Sequence, residues 1–325
     1  MLLPREEHHP GRARGWRHQL REAEESNWEA LRELGDGPRD HLSPSVTYVL
    51  DDALTFLAVV PPAALSAIVT DPPYGLEYEA KDHRKLKSGR GGVWRIPPSF
   101  DGASRKPLPR FTVLSEKDLQ KLRCSFVEFG VRAVRALAPG GHLFIASNPL
   151  LSSMTFYSLQ EAGLEKRGEI IRLVQTLRGG YKPKGAELDF PEVSVMPRSC
   201  WEPWGIFRKP FEGTVADNLR RWGTGGLRRV GQNEPLKDVI ACSPTRGREK
   251  EIAPHPSLKP QRFLRQIVRA SLPLGIGIIY DPFAGSGSTL AAAEAMGYRA
   301  LGTDRDAEYL ELSRRAFSGL ASHPI

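Results

Sequence analysis

Ile276-Gly277-Ile278-Ile279-Tyr280-Asp281-Pro282-Phe283-Ala284-Gly285-Ser286-Gly287-Ser288-Thr289 reads as a buried strand that runs into a glycine turn and, from Leu290 to the Ala-rich stretch ending at Met296, into a helix. Glycines accept backbone angles that other residues resist and let a ligand approach the main chain closely. The helix N-terminus behind them offers unpaired N–H groups. A further strand, Arg299-Ala300-Leu301-Gly302-Thr303, ends in Asp304, near the ~20-residue spacing at which an acidic residue meets a ribose hydroxyl in nucleotide-binding βαβ units. This combination predicts an α/β chain with a Rossmann-like, mostly parallel, doubly wound sheet. Taken alone, the glycine turn also fits a purely structural turn.

What is missing narrows the ligand. The turn lacks the Lys of a triphosphate-binding loop, and Leu290 stands where a dinucleotide fingerprint has its third glycine. S-adenosylmethionine has no phosphate. An adenosine whose hydroxyls meet Asp304, with a charged methionine tail by the glycine turn and Asp281, fits these residues better than a dinucleotide.

Far upstream, the apolar run Leu65-Ser66-Ala67-Ile68-Val69-Thr70 leads into Asp71-Pro72-Pro73-Tyr74. Proline has a fixed φ and no N–H, and the residue before a proline is pushed to extended geometry, so this is a stiff, open turn at a strand end. A free carbonyl and the Asp71 carboxylate can together accept both hydrogens of an exocyclic amine, while Tyr74 can stack on the ring that carries it. By itself the stretch also fits an ordinary proline turn.

Together the two motifs resemble those of the amino-methyltransferases of DNA, which methylate the exocyclic nitrogen of adenine or cytosine. Three other stretches add to the resemblance. Leu50-Asp51-Asp52-Ala53-Leu54 is similar to the family's Gly-Asp-Ala-Leu approach, with Asp51 in place of glycine. His255-Pro256-Ser257-Leu258-Lys259-Pro260 is similar to its His-Pro-x-x-Lys-Pro segment, which packs on the cofactor. Gly140-Gly141-His142-Leu143-Phe144-Ile145-Ala146-Ser147 resembles the strand after the catalytic one. The order of the motifs is that of the permuted beta group, and the resemblance covers roughly residues 44–318. Ser288 stands where the family often has a second threonine and Asp304 where glutamate is common; both changes preserve the chemistry. Residues 170–178 match the family's base-contacting strand and loop only loosely, so no catalytic residue is carried over from them.

The resemblance implies the S-adenosylmethionine-dependent methyltransferase fold with an inserted target-recognition region. It implies a catalytic set of Asp71, Pro72, Pro73 and Tyr74, with the Pro72 carbonyl as second acceptor. The cofactor set is Asp281, Pro282, Phe283, Ala284, Gly285, Ser286, Gly287, Ser288, Thr289 and Asp304, joined by His255, Lys259 and Pro260. His255 has the alternative of simply fixing a turn before Pro256. The implied activity is site-specific transfer of a methyl group from S-adenosylmethionine to N6 of adenine in duplex DNA after base flipping. N4 of cytosine is the alternative, as is a DNA- or S-adenosylmethionine-binding protein without turnover. Asp-Pro-Pro-Tyr, as against Ser-Pro-Pro-Tyr, leans by family habit toward adenine. Double-stranded DNA is the expected partner, and a homodimer and a cognate restriction endonuclease are candidate partners.

The composition agrees. The 325 residues carry a formal net charge of +8 with a hydrophobic fraction of 40%, which suits one large α/β domain and favours a polyanionic partner. No uninterrupted apolar stretch reaches the ~18 residues of a membrane span, and the opening of the chain is too charged for a signal peptide; a cytoplasmic location is expected. The three cysteines, Cys124, Cys200 and Cys242, are odd in number and widely spaced, which argues against a disulfide framework or zinc site. No metal is expected.

Along the chain, residues 1–43 read as a charged N-terminal extension with one helical pattern from Trp16 to Leu34, whose Trp16, Leu20, Trp28 and Leu31 form a stripe suited to docking on the body. Residues 44–178 read as a catalytic half that includes a long basic loop, 76–112, next to the Asp71 tip. Residues 179–254, rich in Gly, Pro, Trp and Arg, break the α/β alternation and read as the target-recognition region. Residues 255–325 read as the cofactor-binding half.

Overall fold

The computed structural model describes residues 10–73, 116–174, 180, 182–243, 245, 247–254 and 258–325. Tyr74, His255 and the basic stretch 76–112 lie outside the described residues.

The chain begins with α1 (Pro10–Arg32), β1 (Arg39–Ser43), β2 (Val46–Leu50), α2 (Ala53–Val59) and β3 (Leu65–Thr70). Asp52 caps α2, its carboxylate accepting from the N–H groups of Leu54 and Thr55, which satisfies donors that a helix start leaves orphaned. Next come α3 (Glu116–Ala136), β4 (Leu137–Ala146), α4 (Ser152–Glu161), β5 (Glu165–Leu173) and β6 (Trp201–Arg208). The remainder is α5 (Val215–Trp222), β7 (Val239–Ala241), α6 (Arg248–Ile252), α7 (Gln261–Ser271), β8 (Ile278–Asp281), α8 (Ser288–Ala295), β9 (Arg299–Asp304) and α9 (Ala307–Ala321).

Among the described residues nine strands form one sheet in the order β1-β2-β9-β8-β3-β4-β6-β5-β7. Pairing is parallel between β2 and β9, β9 and β8, β8 and β3, β3 and β4, and β5 and β7. It is antiparallel where β1 meets β2 and where β6 meets β4 and β5. The predicted mostly parallel, doubly wound α/β sheet is therefore the observed one. From β3 the chain crosses over to β4 on one side, and from β8 to β9 on the other. Right-handed crossovers in opposite directions place their helices on opposite faces: α2, α3 and α4 pack side by side as one group, and α7, α8 and α9 as another. The strands between them are largely apolar, with Ile68, Val69, Phe144, Ile145, Ile279 and Leu301 all fully buried, as expected of strands covered on both faces.

Two elements depart from the sequence reading. The alternation does not stop at residue 178: β6, inside the stretch 179–254, lies between β4 and β5 and pairs with both. Trp201-Glu202-Pro203-Trp204-Gly205 hides this strand, because Pro and Gly weaken any strand signal. Pro203 is tolerated where the β4 pairing ends, its carbonyl still accepting from the Ser147 N–H at 2.9 Å. At Gly205 a Cβ would stand 2.6 Å from the Phe207 ring and 2.8 Å from that of Phe156, so the glycine makes room for the pair. The other departure is β1, a short antiparallel edge strand inside residues 1–43.

Candidate active site

Three neighbouring parallel strands end together. Ile68 of β3 is level with Tyr280 of β8, and Tyr280 with Leu301 of β9, so Asp71, Asp281 and Asp304 emerge at one sheet edge. That edge, between β3 and β8, is where the crossovers diverge, and such a switch point opens a crevice at the carboxyl ends of the strands.

Asp281 ties the two motifs together. Its Oδ1 accepts from the Thr70 hydroxyl at 2.7 Å and from the Phe283 N–H at 3.1 Å, and the Thr289 side chain also donates to it. Asp304 supports the glycine turn: its Oδ2 accepts from the Gly285 N–H at 3.1 Å and its Oδ1 from the Asp306 N–H at 3.1 Å, while the Gly285 carbonyl accepts from the Tyr48 hydroxyl at 2.9 Å. Burial pushes both Asp281 and Asp304 up to about 6. The edge therefore holds two carboxylates that would be more comfortable beside a cation or hydroxyl donors.

The rest of the glycine motif forms the frame. Pro282 offers its carbonyl to the Thr303 hydroxyl at 3.2 Å, Phe283 lies against Phe129 with ring centroids 6.1 Å apart, and Ala284 is buried. Gly287 sits in the left-handed region at φ 76° as N-cap of α8. The Ser286 and Ser288 hydroxyls are 3.2 Å apart, and the Ser288 carbonyl accepts from Gln261 Nε2 at 2.9 Å. Pro260 caps α7, its carbonyl accepting from the N–H groups of Phe263 and Leu264.

Lys259 lies toward the Asp71 side. Its Nζ is 2.5 Å from Asp71 Oδ2 and 3.0 Å from Glu202 Oε1. Burial alone would lower its pKa, but the Asp71 and Glu202 carboxylates outweigh burial and raise it. Glu202 in turn has its Oε2 held by Arg172 Nη1 at 2.8 Å and Trp204 Nε1 at 3.2 Å, and Arg172 Nη2 reaches the Ser243 carbonyl at 3.2 Å. Burial would lift Glu202; Lys259 and Arg172 overcome it and hold the carboxyl at about 2. Asp71, Lys259, Glu202 and Arg172 thus form a row of alternating charges across the ends of β3, β6 and β5.

The sequence reading brought in Asp71, Pro72, Pro73, Lys259, Pro260 and the glycine motif, and all of these fall at this edge; Tyr74 and His255 are outside the described residues. It missed Arg172 and Glu202. The available signal was Arg172 itself: Ile170, Arg172 and Val174 share one strand face, all three are buried, and an arginine in such a row demands an acidic partner. Among the described residues no group of His, Cys, Asp and Glu is arranged to hold a metal ion, and no helix is long and apolar enough to cross a membrane.

A switch-point edge lined by carboxylates, with a glycine turn against a helix start, defines a Rossmann-like α/β protein. Comparison with known proteins narrows the class. Residues 203–315 match a family model described as DNA methylase, the N6/N4 type. The chain is 37% identical over 89 residues to the type II methyltransferase M2.DpnII of Streptococcus pneumoniae, covering 27% of this chain and 33% of the relative. It thus spans about a third of the length of such curated relatives. In structure it resembles a DNA modification methylase of Thermus thermophilus complexed with S-adenosyl-L-methionine, with a TM-score of 0.52 and 19% identity over 85% of this chain and 95% of that one. It also resembles the cytosine-N4-specific PvuII DNA methyltransferase, with a TM-score of 0.54 and 13% identity over 85% and 87% of the two chains. These structural likenesses speak for the fold. Over residues 203–315 the chain is thus similar to the N6/N4 DNA methylases.

Proposed function

We propose that the protein is a DNA methyltransferase that transfers a methyl group from S-adenosylmethionine to the exocyclic N6 of adenine in duplex DNA. The observation that supports this reading is the Thr70–Asp281 hydrogen bond of 2.7 Å, which joins the strand end carrying Asp71 to the strand end that opens the glycine turn. The residues present suit this cofactor. Asp304 and Asp281, both raised by burial, match a ligand with ribose hydroxyls and positive centres and no phosphate. Asp304 would take the hydroxyls, and Asp281 with the turn Phe283 to Thr289 the methionine end. When bound, the cofactor supplies a methyl group on cationic sulfur.

The chain's own residues do the rest. An exocyclic amine is a poor nucleophile because its lone pair is delocalised into the ring, and the base must first leave the stack, at a cost of a few kcal/mol. Asp71 and the Pro72 carbonyl accept the two N–H groups and favour a tetrahedral nitrogen. Tyr74 stacks on the ring. The rate then comes from positioning and electrostatics, and the nitrogen loses its proton after transfer, so Asp71 need not be a strong base.

The basic stretch 76–112 grips phosphates, residues 179–254 read the target, and the protein works in the cytoplasm; a homodimer and a cognate restriction endonuclease remain candidate partners. The second reading is N4 of cytosine, favoured by the likeness to the cytosine-N4-specific PvuII enzyme and by the same pair of amine hydrogens. Incubation with labelled S-adenosylmethionine and mixed-sequence duplex DNA, followed by base analysis, tests both. Label on adenine supports the main reading and label on cytosine the second; binding without transfer overturns both. Asp71→Ala should abolish transfer and leave cofactor binding largely intact.

A further inference from the structure

The alternating row Asp71–Lys259–Glu202–Arg172 is more than packing requires. Buried ion clusters contribute little net stability relative to well-packed apolar side chains, yet here four charged side chains meet at the strand ends beside the proposed base site. Lys259 Nζ occupies Asp71 Oδ2 at 2.5 Å, an oxygen that an amine hydrogen would need. The same ammonium lies 3.0 Å from Glu202 Oε1, and an ammonium has three donors that it can redistribute between acceptors. Glu202 cannot follow Lys259 away, because its other oxygen is fixed by Arg172 at 2.8 Å and Trp204 at 3.2 Å, and Arg172 is anchored in turn on the Ser243 carbonyl.

We propose that Glu202 is a positioning residue for methyl transfer that acts through Lys259. It shares the Lys259 ammonium with Asp71, so that the cation keeps the Asp71 carboxylate charged and aimed while releasing Asp71 Oδ2 to an incoming base N–H. The proposal rests on the methyltransferase reading and deepens it. The charged groups involved come from every neighbouring element: Asp71 after β3, Asp281 at the end of β8, Glu202 on β6, Arg172 on β5, and Lys259 before α7.

The test is methyl transfer to duplex DNA by the wild type, Glu202→Gln, Lys259→Met and the double variant, with S-adenosylmethionine affinity measured separately. Glu202→Gln removes the charge that draws Lys259 away from Asp71 and should lower kcat about 10-fold with cofactor Kd unchanged; Lys259→Met should lower it about 100-fold. The acid limb of the kcat–pH profile should move up in Lys259→Met, because the carboxylate has lost its cation. If Glu202 works through Lys259, the double variant is no slower than Lys259→Met. Losses that multiply, or a Glu202→Gln variant at the wild-type rate, overturn the proposal. Thermal melts accompany each variant. If Lys259→Met does not fold, Glu202→Asp takes its place, and it should recover most of the rate lost in Glu202→Gln; failure to do so also overturns the proposal. A wild type that binds cofactor but labels no DNA overturns the methyltransferase reading itself, and this inference with it.

Discussion

The Thr70 hydroxyl donates to Asp281 Oδ1 at 2.7 Å across 211 positions of sequence. This buried bond joins the end of β3, which carries the Asp-Pro-Pro turn, to the end of β8, which opens the glycine turn. It makes the two motifs one structural unit, and the separation between proposed methyl acceptor and donor depends on it.

Thr70→Val keeps the shape of the side chain and deletes the donor. The buried Asp281 carboxylate then keeps only the Phe283 N–H and the Thr289 side chain as donors. Stability should fall by about 1–2 kcal/mol, with a weaker grip on S-adenosylmethionine as the proposed ligand. Urea denaturation and calorimetric titration check both quantities, and unchanged values in both would show that the bond does not brace the pocket.

The pH dependence follows from Asp281 and Asp304, each raised from 3.8 to about 6 by burial. A carboxyl with a raised folded-state pKa binds its proton more tightly when folded. Its contribution to stability is therefore fully present below the unfolded value of 3.8 and is lost as pH rises through about 6. A cationic ligand reverses the preference, since it favours the ionised carboxylates. The increase in melting temperature given by S-adenosylmethionine should grow as pH rises across that window. Scanning fluorimetry with and without the ligand measures it, and an increment that is flat with pH would remove these carboxylates from contact with the ligand's charge.

The fold was legible because the decisive segments are local. A strand, a glycine turn, a helix and a second strand ending in an acid lie within residues 276–304, and the apolar run to Thr70 announces its strand end by two prolines. The row of charges was not legible, because it depends on register. Arg172 faces Glu202 only because β5 pairs with β6 in antiparallel register, and nothing near either residue fixes that pairing. Lys259 was legible as part of a motif, but its attachment to Asp71 and Glu202 comes from the packing of the segment before α7 on the strand ends. Glu202 was further concealed by Pro203 and Gly205, which weaken the strand signal around it.

Gly287→Ala should damage the glycine turn for a steric reason. Gly287 has φ 76°, a conformation that costs a residue with a Cβ about 1–2 kcal/mol, and a Cβ there would come 2.3 Å from Ser313 Oγ. Ser313 is fully buried on α9, so relief requires its hydroxyl to rotate within the packed interior or α9 and the turn to shift. A loss of about 2–4 kcal/mol is expected from strain and overpacking together. Pairing Gly287→Ala with Ser313→Gly should restore the overpacking share alone, which a urea double-variant cycle would show.

Trp28→Ala probes the N-terminal helix at the opposite edge of the sheet. Leu20, Trp28 and Leu31 of α1 are buried and Trp16 is half-buried, so most of the stripe read from the sequence docks on the body. There α1 lies against α5 and β9, and Glu25 pairs with Arg299 at the start of β9. The Trp28 indole N–H donates to the Pro44 carbonyl at 3.2 Å, and the guanidinium groups of Arg32 and Arg299 each stand 5.9 Å from its ring centre. Removing the ring should cost about 3–5 kcal/mol as lost burial and a cavity. Because Arg299 begins the strand that Asp304 ends, the damage lies a full strand length from the proposed site, and methyl transfer per folded molecule should stay at the wild-type value. Denaturation midpoints and transfer rates normalised to folded protein separate the two effects; a fall in the normalised rate would mean that α1 supports the site as well as the core.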